Sequence, residues 1–462
     1  MLLFDLAKIL LILQNISIVM NFYNFFLTKI ILPLGERILG SDYQKNLKTW
    51  RYYDSLSSEE LKNIQNENLE KTLKYTIKTV PFYSSLKYDE SKSAIQNLDS
   101  FPILTKNLLR KERENLVSQE FKVDELQKNY SSGSSGIQSY SYSVKNNKFL
   151  LQAIQGHWYE WSNYKIGDSI LQFGISPNRV FPKNIKDILY KTLYQNAFSI
   201  SEKDFEAIYY KLKKRKIKFI IGYPSAINEF SKYLIKNNYT HQIEGVISLG
   251  DKLFGHFEKN FNICFKNPKI IDTYGCAEGL MMGCRDDLPF YYIMSPHVYI
   301  EVVDNNNKPV KDGLLGNILV TCFTNKAQPF IRYRLGDLGA ILPIEKYPKE
   351  RKFNYQLIEK IVGRETDIVK TPNGKSLIVH SFTGIFEFYP EIKQYKIIQK
   401  NLNSIEIEYI IDAYFEFDAS ILEKIKSQID AITDKSLDIN FIKVEKIAST
   451  PSGKPQIIES LV

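Results

Sequence analysis

The chain has 462 residues, of which 44% are hydrophobic and 24% are charged. This composition excludes a disordered chain, which would be poorer in large apolar residues, and the length indicates two or three folding units. The net charge of +9 is spread along the chain. Its densest run, Lys211 to Lys218, lacks the aromatic or glycine-rich surroundings of a nucleic-acid-binding face. We therefore expect a soluble globular protein with no nucleic-acid partner.

The amino terminus is apolar without matching a standard targeting segment. Both of its apolar stretches, Met1 to Val19 and Phe22 to Leu34, are interrupted by charged or polar residues. A transmembrane helix needs about 20 mostly apolar residues, and a signal peptide needs a basic start and a small-residue cleavage site. For residues 1–35, packing on the core and peripheral contact with the inner membrane both stay open. We favour core packing, because no Lys/Arg-rich polar face is visible.

The four cysteines are too few and too scattered for a disulfide framework, which favours a cytoplasmic protein. Cys276, Cys284 and Cys322 could contribute to a metal site, but no histidine lies at a supporting spacing. A metal role for these three residues stays open.

The first strong structural signal is a helix that starts at a capping box. Ser57 is a candidate N-cap with Glu60 three residues later, and Pro81 ends the helical pattern. Further along, short apolar runs alternate with helical segments such as 224–237. The predicted strands are 168–174, 219–222, 245–249 and 269–272. This alternation predicts an α/β sheet covered by helices on both faces.

The pattern changes in the last third of the chain. Residues 297–324 are predicted to form two strands joined by a turn. Beyond residue 363 we expect a compact α+β unit, with strands at 395–399, 404–411 and 438–444 and a helix at 420–432. We therefore predict a large core over 1–363, with a helical lead-in over 1–84 and a β-rich subdomain. A small, mobile carboxyl-terminal domain follows over 364–462.

Ser131 to Gly136 (SSGSSG) is the first segment that could bind a ligand. It lies between a polar stretch with a helical pattern and the strand-like run SYSYSV. Glycine lets a backbone approach a phosphate, and N–H groups and serine hydroxyls can hold its oxygens. The alternative is a simple turn or linker.

Asp272 to Gly279 (DTYGCAEG) follows a predicted strand directly. Tyr274 could stack on a purine, and Glu278 offers the hard oxygen that Mg2+ prefers. The alternative is a loop with an incidental acid.

Phe330 to Gly339 (FIRYRLGDLG) places two arginines around a tyrosine. Arg334 could hold a phosphate, and Asp337, on a predicted turn with Gly336, could accept hydrogen bonds from a ribose diol. The alternative is a structural salt-bridge corner.

Two later segments have positions that suit movement. Glu359 to Gly374 combines glycine and charge between the two predicted domains, where a hinge would lie. Ser449 to Lys454 (STPSGK) puts a lysine on a glycine-containing loop close to the end of the chain. Such a lysine could reach a neighbouring active site, although most lysines near a terminus are simply solvated.

The order of these five motifs resembles that of the adenylate-forming superfamily. This superfamily includes acyl-CoA synthetases, luciferases and adenylation domains. Within it the chain is most similar to phenylacetate–CoA ligase relatives of the CapK type. The similarity rests on TVPFYS at 79–84, GYPS at 222–225, SLGD at 248–251 and PFIRYRLGD at 329–337. CapK-type proteins are associated with cell-surface polysaccharide pathways.

The resemblance implies a role for each motif. The phosphate loop of ATP would be Ser131, Ser132, Gly133, Ser134, Ser135 and Gly136. The residues around the rest of the nucleotide would be Gly250, Asp251, Thr273, Tyr274, Gly275, Arg334, Asp337 and Arg364. Glu278 would bind Mg2+, and Lys454 would bridge the carboxylate and the α-phosphate. The acyl pocket would draw on Tyr223, Phe254, His157 and Trp158, although this aromatic cluster also fits a plain core.

The chain departs from the family pattern at three places. Ile137 and Gln138 stand where many members have Lys and Pro, and Ala277 replaces a hydroxyl residue before Glu278. Thr366 stands where the hinge acid is common, with Asp367 one place later. These changes leave the proposed metal ligand, ribose acid and lysine in place.

We therefore expect an ATP- and Mg2+-dependent ligase that converts a carboxylic acid to acyl-AMP. The acyl group would pass to CoA, or to an amine or hydroxyl of a sugar. One alternative is an amide ligase acting on a uronic acid or an amino sugar. Another is a non-catalytic nucleotide-binding scaffold descended from a ligase.

Overall fold

The computed structural model describes most of the chain. It covers residues 19–131, 139–174, 181–197, 202–250, 252–276, 278–364, 368–373, 376–386, 388–389, 391–411, 416–447 and 457–462.

The helices begin with a continuous helical segment near the amino terminus. In chain order they are α1 (Val19–Phe26), a π-helical turn (Leu27–Ile31), α2 (Leu32–Leu39), α3 (Tyr43–Tyr53), α4 (Ser58–Thr79), α5 (Ala94–Leu98), α6 (Lys106–Lys111), α7 (Asn147–Trp161), α8 (Phe181–Leu189), α9 (Glu202–Lys214), α10 (Pro224–Lys236), α11 (Gly255–Phe265), α12 (Val379–Phe386) and α13 (Ser420–Thr433). Short 3-10 turns lie at Pro81–Tyr83, Val123–Glu125 and Ile344–Lys346.

The strands, numbered in chain order, are β1 (Gln127–Ser131), β2 (Ser139–Ser143), β3 (Ile170–Gly174), β4 (Thr192–Asn196), β5 (Phe219–Gly222), β6 (Gly245–Ser248), β7 (Lys269–Gly275), β8 (Met281–Arg285), β9 (Tyr291–Ile293), β10 (Val298–Val303), β11 (Gly316–Cys322), β12 (Tyr333–Ile341), β13 (Leu357–Arg364), β14 (Ile368–Lys370), β15 (Ser376–Ile378), β16 (Ile392–Asn401), β17 (Ser404–Ile411), β18 (Asp438–Lys443) and β19 (Ile458–Ser460).

Eleven of these strands form one sheet with two halves. Its order is β10-β11-β12-β13-β9-β8-β7-β6-β5-β3-β4. Strands β3 to β7 pair in parallel, and from the β7–β8 pair onward the pairing is antiparallel. In order of appearance along the chain, the parallel half reads 2-1-3-4-5, which is a doubly wound arrangement. The predicted α/β fold is confirmed.

Helices cover the parallel half of the sheet on both faces, as its continuous apolar strands require. On one face Ile220 and Val246 pack in a core with Phe230 of α10 and Phe261 of α11. On the other face Ile221, Ile247 and Ile271 share a core with side chains of α3 and α7. The antiparallel half packs against Leu69 and Leu73 of α4.

The chain beyond β13 has a core of its own. A four-stranded sheet of order β18-β17-β16-β19 combines one antiparallel pair with two parallel pairs. Ile397 and Ile407 of this sheet pack with Ile425 and Ile429 of α13. We propose that this unit is the small lid domain expected from the sequence.

Several predicted elements agree closely with the structure. Ser57 and Glu60 form the reciprocal capping box, and α4 ends at Thr79 before Pro81. Two local predictions are wrong. The stretch before the Ser/Gly segment is strand β1, because it pairs along its length with β2. Gly336 and Asp337 lie inside β12 rather than in a turn, where a bulge gives Gly336 a φ of +84°.

The amino-terminal helical segment agrees in part with the core packing that we favoured. Tyr23 and Leu27 are buried, but Phe25, Ile38 and Leu39 are exposed. Within the described residues, no helix has the length and apolar character needed to cross a bilayer.

Candidate active site

The carboxyl edge of the parallel half carries several of the predicted site residues. Tyr223 directly follows β5, Gly250 lies just beyond β6, and Glu278 lies three residues beyond β7. In doubly wound sheets, ligands bind in the crevice outside the carboxyl ends of the strands, near the point where the strand order reverses. In this chain that point lies between β3 and β5, which are hydrogen-bonded neighbours.

Gly250 and Tyr223 form one wall of this edge. Gly250 has a φ of +77°, and an added Cβ would lie 2.7 Å from Cε1 of Tyr223. Any other residue at position 250 would therefore be strained and would collide with the ring. Tyr223 and Phe254 are both buried at the start of helices that leave this edge.

Asp272 is a buried acid on β7, the strand next to β6. Its carboxylate accepts hydrogen bonds from the Ser248 hydroxyl, at 2.7 Å, and from the phenol of Tyr291. Burial raises the pKa of the Asp272 carboxyl, and these two donors partly offset that effect. The Thr273 hydroxyl donates to the carbonyl of Ser248 at 2.9 Å, which ties β7 to β6 directly below Gly250.

Tyr274 links the parallel half to the antiparallel half. Its phenol donates to Oδ2 of Asp337 at 2.8 Å, although the two residues are 63 positions apart. In the strand ladder, Asp337 pairs with Arg364, the last residue of β13. The predicted purine-stacking tyrosine and the predicted ribose acid are therefore neighbours.

A second tyrosine holds the predicted metal ligand. The Tyr333 phenol donates to Oε1 of Glu278 at 3.1 Å, and both side chains are buried. Tyr333 and Asp337 both come from β12, so one strand supplies a partner to each of the two motifs. The sequence analysis missed Tyr333, although its position inside YRLGD was a signal that it could contribute.

A neutral histidine supports the segment around Glu278. Nε2 of the buried His297 accepts from the Met281 N–H at 3.3 Å, and Nδ1 lies 3.1 Å from the Thr324 hydroxyl. Burial lowers the pKa of the His297 ring to about 4. The ring is therefore uncharged at neutral pH, and Nδ1 carries the hydrogen that Thr324 accepts.

The β1–β2 hairpin, which flanks the predicted phosphate loop, is fixed by two buried amides. Gln328 Oε1 accepts from the Tyr142 N–H, and Asn325 Nδ2 donates to the Tyr142 carbonyl, each at 2.8 Å. These bonds satisfy both polar backbone groups of one residue in a two-stranded ribbon. The Arg113 guanidinium lies 3.8 Å from the ring centre of Tyr140, on the same ribbon.

Three predicted site residues lie elsewhere in the fold. Arg334 is on the opposite face of β12 from the adjacent Tyr333, since side chains alternate along a strand, and it donates to Asn307. Trp158 is buried against Met294 in the core behind the sheet. His157 bonds Asp54 in the same region, at 3.1 Å. These contacts support the plain-core interpretation of the aromatic cluster.

Several predicted residues lie outside the described part of the chain. They are Ser132, Gly133, Ser134, Ser135, Gly136, Ile137, Gln138, Asp251, Ala277, Thr366, Asp367 and Lys454. The roles given to them stay predictions, as do those of the Ser131 and Arg364 side chains.

The described residues contain no cluster of three or more metal-binding side chains. Cys276, Cys284 and Cys322, whose metal role the sequence left open, are among the described residues and form no such cluster. A site for Mg2+ is different, because that ion is commonly held by one or two carboxylates together with substrate phosphates. Glu278 fits this requirement, since it is a carboxylate at the carboxyl edge whose Oε1 accepts from the Tyr333 hydroxyl.

Comparison with known proteins agrees with this geometry. No protein-family model matches the chain. The chain is 24% identical over 442 residues to Protein CapK of Staphylococcus aureus, covering 90% of this chain and 94% of the relative. It is 33% identical over 104 residues to the phenylacetate-coenzyme A ligase of Pseudomonas putida, covering 21% and 22% of the two chains.

The fold is shared with a solved 2-hydroxyisobutyryl-CoA ligase in its postadenylation state in complex with R3-HIB-AMP. The TM-score is 0.67 at 14% identity, and the match covers 89% of this chain and 91% of the other. The relatives of this chain and the solved structures that share its fold are adenylate-forming ligases, which confirms the recognised superfamily and the enzyme class. Within that superfamily it is related to CapK and the phenylacetate–CoA ligases.

Proposed function

We propose that the chain uses MgATP to convert a carboxylic acid into acyl-AMP and then transfers the acyl group to an acceptor. The supporting observation is the pair of contacts made by β12 at the carboxyl edge. Tyr333 holds Glu278, and Asp337 is held by Tyr274. One strand thereby fixes the spacing between the proposed metal ligand and the proposed ribose acid.

In the first step, a carboxylate oxygen of the acid attacks the α-phosphorus of ATP. The bond from that phosphorus to the oxygen bridging the α- and β-phosphates breaks, and pyrophosphate leaves. In the second step, a nucleophile attacks the acyl carbon and loses its proton, the bond from that carbon to the phosphate oxygen breaks, and AMP leaves. The first step brings the negative oxygens of the carboxylate and the phosphate together, and the second develops negative charge on the acyl carbonyl oxygen. Positive charge placed at these oxygens therefore lowers the barriers.

Different residues of this chain would bind the parts of ATP and supply the positive charge. Asp337 would accept hydrogen bonds from the ribose hydroxyls, and the Tyr223–Gly250 wall would face the adenine. Glu278 would hold Mg2+, which neutralises phosphate charge when bound. Lys454 would bring its ammonium to the carboxylate and the α-phosphate. A lysine carried by a movable domain allows different closures for the two steps, as in other enzymes with lids.

The acceptor is the less defined part of the proposal. A CoA thiol and an amine or hydroxyl of a sugar both fit a cytoplasmic ligase related to CapK. Amide formation with a uronic acid or an amino sugar is the nearest alternative. All three share the acyl-AMP intermediate, so they differ only in the second nucleophile.

Pyrophosphate release from MgATP tests the first step. The panel of acids should include aryl acids, short hydroxy acids, amino acids and uronic acids. We expect release that depends on one class of acid and that collapses in Lys454→Ala. The substitution Lys446→Ala, at a nearby lysine in the described chain, is the matched control and should retain activity.

Adding CoA, hydroxylamine or amino sugars then identifies the acceptor through the product that accumulates. If ATP binds but no acid supports pyrophosphate release, the proposal of catalysis fails and the non-catalytic scaffold becomes the better account.

A further inference from the structure

The helical segment over residues 19–39 is attached to the body of the protein along one face only. Tyr23 and Leu27, one turn apart, are buried and contact Ile166 and Leu189. The Tyr23 phenol donates to the carbonyl of Leu189 at 2.7 Å, and the Lys191 ammonium lies 3.9 Å from the centre of its ring. These contacts fix the orientation of the segment about its axis.

The opposite face carries an exposed row of large apolar side chains. Phe25 is 56% exposed, Ile30 47%, Leu34 48% and Ile38 69%. Residues four apart lie on the same face of an α-helix. The five-residue step from Phe25 to Ile30 spans the π-helical turn, where the Leu32 N–H bonds to the Leu27 carbonyl. A π turn takes up one extra residue, so the row stays on one side.

The two exposed charged side chains of this segment are cations, and its single acid is partly buried. Lys29 and Arg37 are exposed, and Glu36 is the one acid between residues 19 and 39. The Glu36 carboxylate accepts from the backbone N–H of Gln44 at 2.6 Å and from its side-chain amide at 2.9 Å. The exposed row, which we call the apolar stripe (Phe25, Ile30, Leu34 and Ile38), therefore lies beside two cations.

The residues that precede this segment in the sequence are also mostly apolar. Residues 1–18 contain five polar residues, Asp5, Lys8, Gln14, Asn15 and Ser17, and are otherwise apolar. The apolar stripe is therefore continuous in sequence with a longer apolar stretch. The segment of 21 residues, at about 1.5 Å per residue, is roughly 30 Å long.

We propose that the apolar stripe docks in the plane of an anionic lipid bilayer, with Lys29 and Arg37 contacting lipid headgroups. An interfacial helix buries its apolar face at the boundary of headgroups and acyl chains, and cations strengthen its binding to anionic lipids. A second copy of this chain is a poorer occupant, because two-fold packing would bring the same cations together. The surface would hold the ligase beside acids or acceptors that are themselves attached to lipid.

Vesicle flotation with the full chain tests this proposal. The probes are vesicles of phosphatidylcholine alone and vesicles of phosphatidylcholine mixed with phosphatidylglycerol. The stripe variant combines Ile30→Asp, Leu34→Asp and Ile38→Asp. The control combines Ile263→Asp, Leu315→Asp and Ile344→Asp, at three exposed aliphatic residues elsewhere. Both variants add the same negative charge, so a difference in their vesicle binding shows that the position of the substitutions matters.

We expect the wild-type chain and the control to float with the anionic vesicles, and the stripe variant to bind at least ten-fold more weakly. Replacing Lys29 and Arg37 together by alanine should remove most of the dependence of binding on salt. Absence of wild-type binding would overturn the proposal. Equal binding by the stripe variant would assign the affinity to residues 1–18 and would also overturn it. A wild-type dimer that the stripe variant converts to monomer, with no flotation, would identify a second copy as the occupant instead.

Discussion

Two clusters of carboxylates and aromatic side chains lie on the large sheet, and only one has the character of a ligand site. In the first cluster, Asp54 accepts from His157, Trp161 and Tyr355 at 3.0 to 3.1 Å. In the second, Glu278 accepts from Tyr333, and Asp337 accepts from Tyr274. A carboxylate offers about four acceptor positions, so three internal donors nearly saturate Asp54.

The positions of the two clusters differ as well. His157 and Trp161 belong to α7, whose side chains fill the core behind the sheet. Glu278 and Asp337 lie where the parallel half meets the antiparallel half, at the carboxyl edge. The same residue types therefore serve stability in one place, and we propose that they serve ligand binding in the other. Four substitutions separate these two roles.

The largest effect is expected from Glu278→Gln. Replacing the carboxylate by an amide removes the charge that would hold Mg2+, so kcat/KM for ATP should fall about 1,000-fold, the upper range for loss of one electrostatic group. The free energy of unfolding should change little, because the amide can still accept from Tyr333. Initial rates of pyrophosphate release measure the first quantity and urea unfolding the second. Glu345→Gln, at an exposed glutamate, is the control. Normal activity in Glu278→Gln would remove this residue from the proposed site.

The opposite behaviour is expected from Asp54→Asn. The change leaves one or more of three buried donors without an acceptor, at a cost of about 3 kcal/mol in the free energy of unfolding. Activity per folded molecule should be unchanged, because Asp54 lies outside the proposed site. Urea unfolding of this variant and of Asp438→Asn, at an exposed residue, makes the comparison. A loss of activity without a loss of stability would reverse the roles assigned to the two clusters.

The third expected effect concerns pH and the neutral ring behind Glu278. In the unfolded chain His297 takes up a proton with a pKa of about 6.5, whereas in the folded chain the pKa of His297 is about 4. Between these values the unfolded state holds more protons, so stability falls as pH falls. From pH 7 to pH 5 the contribution of His297 should be about 2 kcal/mol.

His297→Gln should remove this part of the pH dependence, because glutamine keeps an acceptor and does not titrate. The matched control is His256→Gln, at a partly exposed histidine. Identical slopes of unfolding free energy against pH in the wild type and His297→Gln would contradict the buried neutral ring.

The smallest expected effect belongs to Tyr333→Phe. Removing one hydroxyl leaves Glu278 in place but takes away the donor that orients it, which should weaken the apparent Mg2+ affinity about ten-fold. The maximal rate at saturating Mg2+ should stay near that of the wild type. Titration of pyrophosphate release against Mg2+ separates the two quantities. An equal loss of rate at saturating Mg2+ would indicate that Tyr333 touches the reacting groups instead.

Local elements were readily predicted from the sequence. The capping box at Ser57 and strand β17 appear where they were expected, because capping chemistry and alternating burial act over a few residues. The segment DTYGCAEG was also predicted to follow a strand, and in the structure Glu278 lies three residues beyond β7.

Contacts between distant segments could not be predicted in the same way. The partnership of Tyr274 with Asp337 spans 63 positions and depends on the pairing of β7, β8, β9, β13 and β12. The two amides that hold Tyr142 lie more than 180 positions away from it. The segment 127–131 was misassigned because its strand character comes from pairing with β2 rather than from apolar periodicity.

A crystal structure of the chain soaked with AMP tests the central claim most directly. The account predicts that AMP lies at the carboxyl edge, with its ribose hydroxyls within hydrogen-bond distance of Asp337 and its adenine beside Gly250. Binding of AMP at any other place, with Tyr274 and Asp337 left unchanged and remote from it, would contradict the assignment of this edge as the active site.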